Sequence, residues 1–256
     1  MLAKVKPNTQ FIGQNILYFS KVDSTNNILN ELSKNNLVEN GSIVIADYQT
    51  TGKGQRNKTW DSNAFENLLF SIFLKPVTNQ VIFPFKINKI ITYSILMALK
   101  KYCNNSNKLK IKWPNDIYFE LKKVSGILIE NNYSGSNLNH SIIGIGINVN
   151  QQFDTNDKIS LSEITGNTID RLLLLEQMLE EIEEQYLKFS AHNNQTINSL
   201  FNESLIGINE ESEFEINNEE IKGVVLGVND NGQLLVSQSG VSKAYNHGEI
   251  KQIFKR

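Results

Sequence analysis

Two short apolar runs, Ile43–Ala46 and Leu68–Leu74, constrain the fold of this chain more than any other feature. Runs of this length, flanked by polar residues, are too short for helices and read as buried strands. Between them Gly52 and Gly54 alternate with Lys53, Gln55, Arg56 and Lys58, and the loop closes on Trp60. The chain must therefore build a sheet in which two strands are joined by a cationic, glycine-bearing loop. Small backbone positions let N–H groups approach a ligand, and fixed positive charge offsets an anion such as a phosphate or carboxylate. Most basic loops are solvated turns, so the loop alone assigns nothing. It is not a nucleotide P-loop: Asn57 stands where G-x-x-x-x-G-K-[ST] needs its second glycine, and no helix follows Thr59 to receive a phosphate.

At 256 residues the chain can hold one large domain, or one large and one small, around a sizeable core. A formal net charge of −2 excludes a protein whose whole surface binds nucleic acid or an anionic membrane, so any anion site is local. The single cysteine, Cys103, leaves no internal disulfide, suits a reducing cytoplasm and is expected as buried filler. The first residues, MLAKVKPNTQFIG, lack the apolar segment of a signal peptide, and no run approaches transmembrane length. The expectation is a soluble cytoplasmic protein.

In chain order, residues 14–20 alternate as a strand, and Asp23 or Ser24 is placed to cap a helix whose apolar residues are Ile28, Leu29 and Leu32. Capping accounts for one hydroxyl; it does not account for Ser24, Thr25 and Asn26 standing together at a strand-to-helix junction. Residues 84–103 carry Ile87, Ile90, Ile91, Ile95 and Leu99 at helical steps, a helix expected to pack on the sheet. Leu109, Ile111 and Trp113 then alternate with Lys110 and Lys112. Pro114, Asn115 and Asp116 form a turn before strand 117–119. Lys123, Val124, Ser125 and Gly126 lead into another apolar run, and residues 133–139 read as a hairpin loop. Residues 140–150 are a buried-type strand whose Gly144 and Gly146 permit close approach of a ligand or a neighbouring strand. Residues 162–190 read as one long helix, with Thr168 or Asp170 near its start and an acidic outer face, and 194–206 as a further helical piece. Only short strands follow residue 207, with Asp230-Asn231-Gly232 as a hairpin signal: a small β-barrel-like module.

These stretches together resemble the biotin protein ligase family. The series is Asp23-Ser24-Thr25-Asn26, Tyr48-Gln49 leading into the 52–60 loop, Lys112-Trp113-Pro114-Asn115-Asp116, Lys123 with Gly126-Ile127-Leu128, Gly146-Ile147-Asn148, and Gly248-Glu249-Ile250. The resemblance implies an α/β (α+β) catalytic domain over residues 1–206. Its mixed central sheet would be of the class II aminoacyl-tRNA synthetase and biotin ligase type, followed by an SH3-like C-terminal barrel over 207–256. It implies that biotin and ATP, with Mg²⁺, react to biotinyl-5′-adenylate, and that a lysine of a biotin carboxyl carrier domain then takes the biotinyl group. Carried over by position, the catalytic cations are Lys123, Lys53 and Lys112. Biotin falls to Ser24, Thr25, Asn26, Gln49, Gly52, Lys53, Gly54, Gln55, Lys123 and Gly126. ATP and the adenylate fall to Lys53, Gln55, Arg56, Trp60, Asn115, Asp116, Lys123 and Asn148. The residue types suit this chemistry: a carboxylate and a polyphosphate repel each other, so the protein must supply positive charge where they meet. A biotin sensor without turnover would not need Lys112 and Lys123, and the signature of lipoate ligases is absent. Members are monomers or homodimers, and the sequence leaves that open. Only the residues before Tyr18 precede the match, so a DNA-binding repressor domain is not expected, and neither is a membrane partner.

In many members the loop is arginine-rich, G-R-G-R-x-x-R, where this chain has Lys53, Gln55 and Lys58. Lysine keeps charge but loses the planar fork, and Gln55 has no charge at all. Gln55→Arg is therefore expected to slow adenylate release, measured by chasing labelled adenylate from the purified enzyme; equal dissociation rates would remove the idea.

Overall fold

The computed structural model describes residues 5–76, 84–135, 137–190 and 194–254. The chain enters along β1 (Ile16–Phe19), turns into α1 (Thr25–Lys34), and returns as β2 (Ile43–Ala46) and β3 (Leu68–Leu74). Helix α2 (Pro84–Lys100) is followed by β4 (Leu109–Lys112), β5 (Asp116–Phe119), β6 (Lys122–Ser134) and β7 (Asn137–Ile147). These strands form one sheet of order β1-β2-β3-β7-β6-β5-β4, in which β1 and β2 are parallel and the other pairs antiparallel. The expected strands are present, and the helix expected over 84–103 runs Pro84–Lys100. The hairpin between β6 and β7 is tighter than the 133–139 loop, because both strands continue into that segment.

Strand period decides which face is which. Phe70 and Ile72 of β3, Ile127 of β6 and Ile143, Ile145 and Ile147 of β7 are buried in the core that also takes Ile87, Ile90, Ile91, Ile95 and Leu99 of α2. The residues between them face the other way. Near β2 that second face is closed by α1, with Leu29 against Val44, Phe73 and Ile142. Where α1 ends its cover, the face is left with small residues.

One expectation is corrected. Residues 162–190 are two helices, α3 (Leu161–Thr165) and α4 (Arg171–Ser190), because Gly166 at φ 73 ends the first and Asp170 Oδ1 caps the second by accepting from Leu172 and Leu173 N–H. Nor is the acidic face of α4 simply an outer one. Glu176 and Glu180 accept the backbone N–H of Lys6 and Asn8, and buried Glu183 accepts those of Gln10, Phe11 and Ile12. Glu181, also buried, pairs with Lys101 at 2.6 Å. Cys103 is buried, and burial pushes its thiol up to about 11. No helix among the described residues is long and apolar enough to cross a membrane.

After α5 (Asn194–Glu203) come β8 (Glu211–Ile216), β9 (Glu219–Val228), β10 (Leu234–Gln238), β11 (Val241–Tyr245) and β12 (Lys251–Ile253). They form an antiparallel sheet of order β11-β10-β9-β8-β12, consistent with an SH3-like module. A buried lysine fastens it to the helices. Lys89 of α2 is 1% exposed and donates to Asn198 Oδ1 of α5 at 2.7 Å and to the carbonyls of Val228 and Asn229 at 3.0 Å. Burial pushes its ammonium down to about 8, with Asp230 opposing the shift.

An unfolded lysine holds its proton to about 10.4. Between about pH 8 and that value the folded chain binds fewer protons than the unfolded one, so stability rises with pH there. The stability of wild type minus that of Lys89→Met should climb by on the order of 2 kcal/mol from about pH 7.5 to about pH 9.5. Urea denaturation at each pH measures it, and parallel curves would show that the lysine titrates normally.

Candidate active site

The floor of the site is the uncovered sheet face. Registers set its rows: Leu69, Gly146 and Gly126 lie side by side on β3, β7 and β6, and Ser71, Gly144 and Leu128 form the next row. Glycines here leave a slot. Trp60, at the end of the cationic loop, lies in it: a Cβ at Gly146 would sit 2.5 Å from the indole and one at Gly126 2.8 Å. The indole Nε1 is buried without a hydrogen-bond partner, so ring packing alone seats it.

At one end, the β1–α1 junction puts Ser24, Thr25 and Asn26 on the floor, each less than 5% exposed. Ser24 is the N-cap of α1, yet its side chain makes no capping bond. Gln49 Oε1 accepts from Thr25 N–H at 2.8 Å and from Thr25 Oγ1 at 3.1 Å. Ser71 Oγ lies 2.7 Å from Thr25 Oγ1 and 2.6 Å from Asn26 Oδ1, and Asn26 Nδ2 donates to Glu130 Oε2 at 2.6 Å. This is a buried polar surface with both donors and acceptors, suited to a compact polar ring.

The other wall is cationic. Lys123 Nζ pairs with Asp116 Oδ1 at 2.8 Å and stands 5.4 Å from the Trp60 ring centre. Its backbone is fixed on both sides, N–H to Asp157 O and carbonyl to Ile159 N–H. Lys112 lies beside the Tyr118 and Phe254 rings, at 5.0 and 4.8 Å. Burial holds its ammonium below the usual lysine range; Asp116 opposes this, while Lys123, Lys58 and Lys251 add to it. The loop is a small hairpin: Trp60 N–H meets Gly52 O at 2.8 Å and Gly54 N–H meets Lys58 O at 2.7 Å. At its tip Arg56 hydrogen-bonds to His247 O on the C-terminal sheet and lies over Gly248. Burial, and then Arg56, push the His247 imidazole below its ordinary range; Asp116 opposes the shift and Lys58 adds to it.

Of the residues named from the sequence, Ser24, Thr25, Asn26, Gln49, Lys53, Gly54, Gln55, Arg56, Trp60, Lys112, Asn115, Asp116, Lys123 and Gly126 all line one cleft of about 610 Å³. Two do not. Gly52 is buried beneath the loop, where a Cβ would meet Trp60 O. Asn148 is 2% exposed and donates to Lys123 O at 3.0 Å, so in this structure it braces the lysine's backbone and does not face the cleft. Buried Asn115 is likewise turned inward, its Nδ2 donating to Ile127 O. Sequence reading missed Ser71, Glu130 and the anchoring of Trp113, whose Nε1 donates to Gly232 O at 2.9 Å. Ser71 was detectable as the polar residue inside an apolar run, and Glu130 as the carboxylate two strand periods beyond Gly126.

The pattern that defines the biotin/lipoate A/B protein ligase family matches residues 18–148, which carry both walls of this cleft. The chain belongs to that family. Among curated biotin/lipoate ligase relatives, the bifunctional ligase/repressor BirA of Bacillus subtilis is 32% identical over 245 residues, 93% of this chain and 74% of that protein. The Escherichia coli protein of the same name is 28% identical over 245 residues, 94% of this chain and 75% of its own length. Among solved structures, the biotin protein ligase of Aquifex aeolicus in complex with biotin and ATP superposes with a TM-score of 0.76 at 30% identity, covering 94% of this chain and all of that one. With the family goes the class of enzyme: the chain is a ligase.

Gly146→Val should force Trp60 off the floor. Read in a Trp113→Phe background, the Trp60 emission is expected to move to longer wavelength; an unchanged spectrum would mean that the indole is seated elsewhere.

Proposed function

We propose that this chain activates biotin with MgATP to biotinyl-5′-adenylate and passes the biotinyl group to a lysine of a biotin carboxyl carrier domain. The observation that supports this best is the adjacency of a buried donor–acceptor floor, Ser24 to Asn26 with Gln49, and a wall holding Lys53, Arg56, Lys112 and Lys123 in one cleft. The cyclic urea of biotin lies on the floor, and its carboxylate points to the cations.

In the first step a carboxylate oxygen of biotin attacks the α-phosphorus of ATP; the mixed anhydride bond forms and pyrophosphate leaves with the electrons of the broken P–O bond. Lys123 stands between the two anions and lowers their repulsion where they meet, while Lys112 and the loop cations take the departing phosphates. Trp60 offers a flat face for the adenine. In the second step the neutral ε-amine of the acceptor lysine attacks the acyl carbon, the amide forms and AMP leaves. The amine sheds its proton, and Asp116, the carboxylate paired with Lys123, is the group placed to take it. Mg²⁺ enters as part of the nucleotide substrate. Among the described residues no three His, Cys, Asp or Glu groups converge as a metal cage. The carboxylate of Asp116 fits a cation carried in by phosphates better than a resident metal. The same reading divides the chain into a ligase domain, 1–206, and a C-terminal domain, 207–256, whose Arg56 contact helps to close the cleft.

ATP–pyrophosphate exchange that depends on biotin and not on lipoate, followed by an avidin blot of a carrier domain, tests the proposal directly. Lys123→Ala should lower exchange at least about a hundredfold with an unchanged melting temperature; a fully active variant would remove the catalytic role.

A further inference from the structure

Asn26 is 3% exposed, and its side-chain amide is held between two groups. Ser71 Oγ meets Oδ1 at 2.6 Å, and Nδ2 donates to Glu130 Oε2 at 2.6 Å. Gly144 makes room for this, since a Cβ there would collide with the amide oxygen. The two ends of an amide have nearly the same shape and opposite polarity, so whatever fixes its direction decides what a ligand meets. Ser71 does not fix it. Its hydroxyl both donates and accepts, and Thr25 Oγ1, 2.7 Å away, is a second acceptor. If the amide turned over, Ser71 would accept from Nδ2 and send its own proton to Thr25. Glu130 admits one direction only, because a carboxylate accepts and reversal would set Oδ1 against a negative oxygen. The Glu130 carboxylate makes no other hydrogen bond among the described residues.

We propose that Glu130 is a positioning residue for substrate choice: acting through Asn26, it keeps an amide N–H as the donor offered to the head group and so selects a ring that presents a carbonyl oxygen. The inference rests on the reading that this cleft takes biotin, whose cyclic urea has such an oxygen. It accounts for a carboxylate at the rim of a site whose charged walls are mainly cationic. Glu130 itself is exposed at the rim and does not line the cleft, so it touches the ligand only by way of Asn26.

The test compares wild type, Glu130→Leu and Glu130→Gln in pyrophosphate exchange. The substrates are biotin and its 2-imino analogue, in which an N–H donor replaces the carbonyl acceptor. Glu130→Leu should raise KM for biotin about tenfold and narrow the preference for biotin over the imino analogue. KM for MgATP and the melting temperature should hold. Glu130→Gln, which keeps an oxygen acceptor for Asn26, should restore most of the loss. In an Asn26→Ala background, Glu130→Leu should add nothing. An unchanged biotin-to-imino ratio, an equal rise in KM for MgATP, or a full additional loss in the Asn26→Ala background would each overturn the inference. A wild-type protein without biotin-dependent exchange would instead overturn the functional reading beneath it.

Discussion

The architecture depends on the alternation of three antiparallel strands, β3, β7 and β6. At their centre, alternate residues (Phe70 and Ile72, Ile127, Ile143, Ile145 and Ile147) are large apolar groups buried in the core they share with α2, and that packing holds the sheet. The residues in between are thereby committed to the opposite face, where β7 has Gly144 and Gly146, β6 has Gly126 and β3 has Ser71. A one-residue slip in register would turn the isoleucines into the cleft and the glycines into the core. Packing and active-site geometry are therefore a single constraint: the slot exists because the core is on the other side.

Much of this could be read from the chain because the signals are local. Ile43–Ala46 and Leu68–Leu74 announce their strands by length and composition, and the 84–103 helix by its spacing. Lysines 112 and 123 were placed by motif and line the same cleft. The failures came from partners distant in sequence. Nothing in the spacing of Glu176, Glu180 and Glu183 says that a segment some 170 residues earlier will lie along them, so a gripping surface looked like a solvated one. Asn148 shares a motif with cleft residues, yet its amide reaches Lys123 O and Ile159 O because the chain leaves β7 just there.

The two chain portions are joined at the cleft as well as beneath it. Trp113, in the turn between β4 and β5, hydrogen-bonds to Gly232 in the same β9–β10 connection whose start is held by Lys89. Arg56 reaches the C-terminal sheet from the opposite side. The cleft walls are consequently not independent of the small sheet, which supplies His247, Gly248 and Lys251 to the lining.

The three glutamates of α4 hold the leading segment by its peptide groups and not by its side chains. Recognition of this kind is indifferent to which amino acids occupy positions 6, 8 and 10, provided that none is proline, which would lack the N–H. Those exposed positions are thus free to drift in sequence while the path of the backbone stays fixed, and the burden of invariance passes to the spacing of carboxylates on the helix and to buried Ile12.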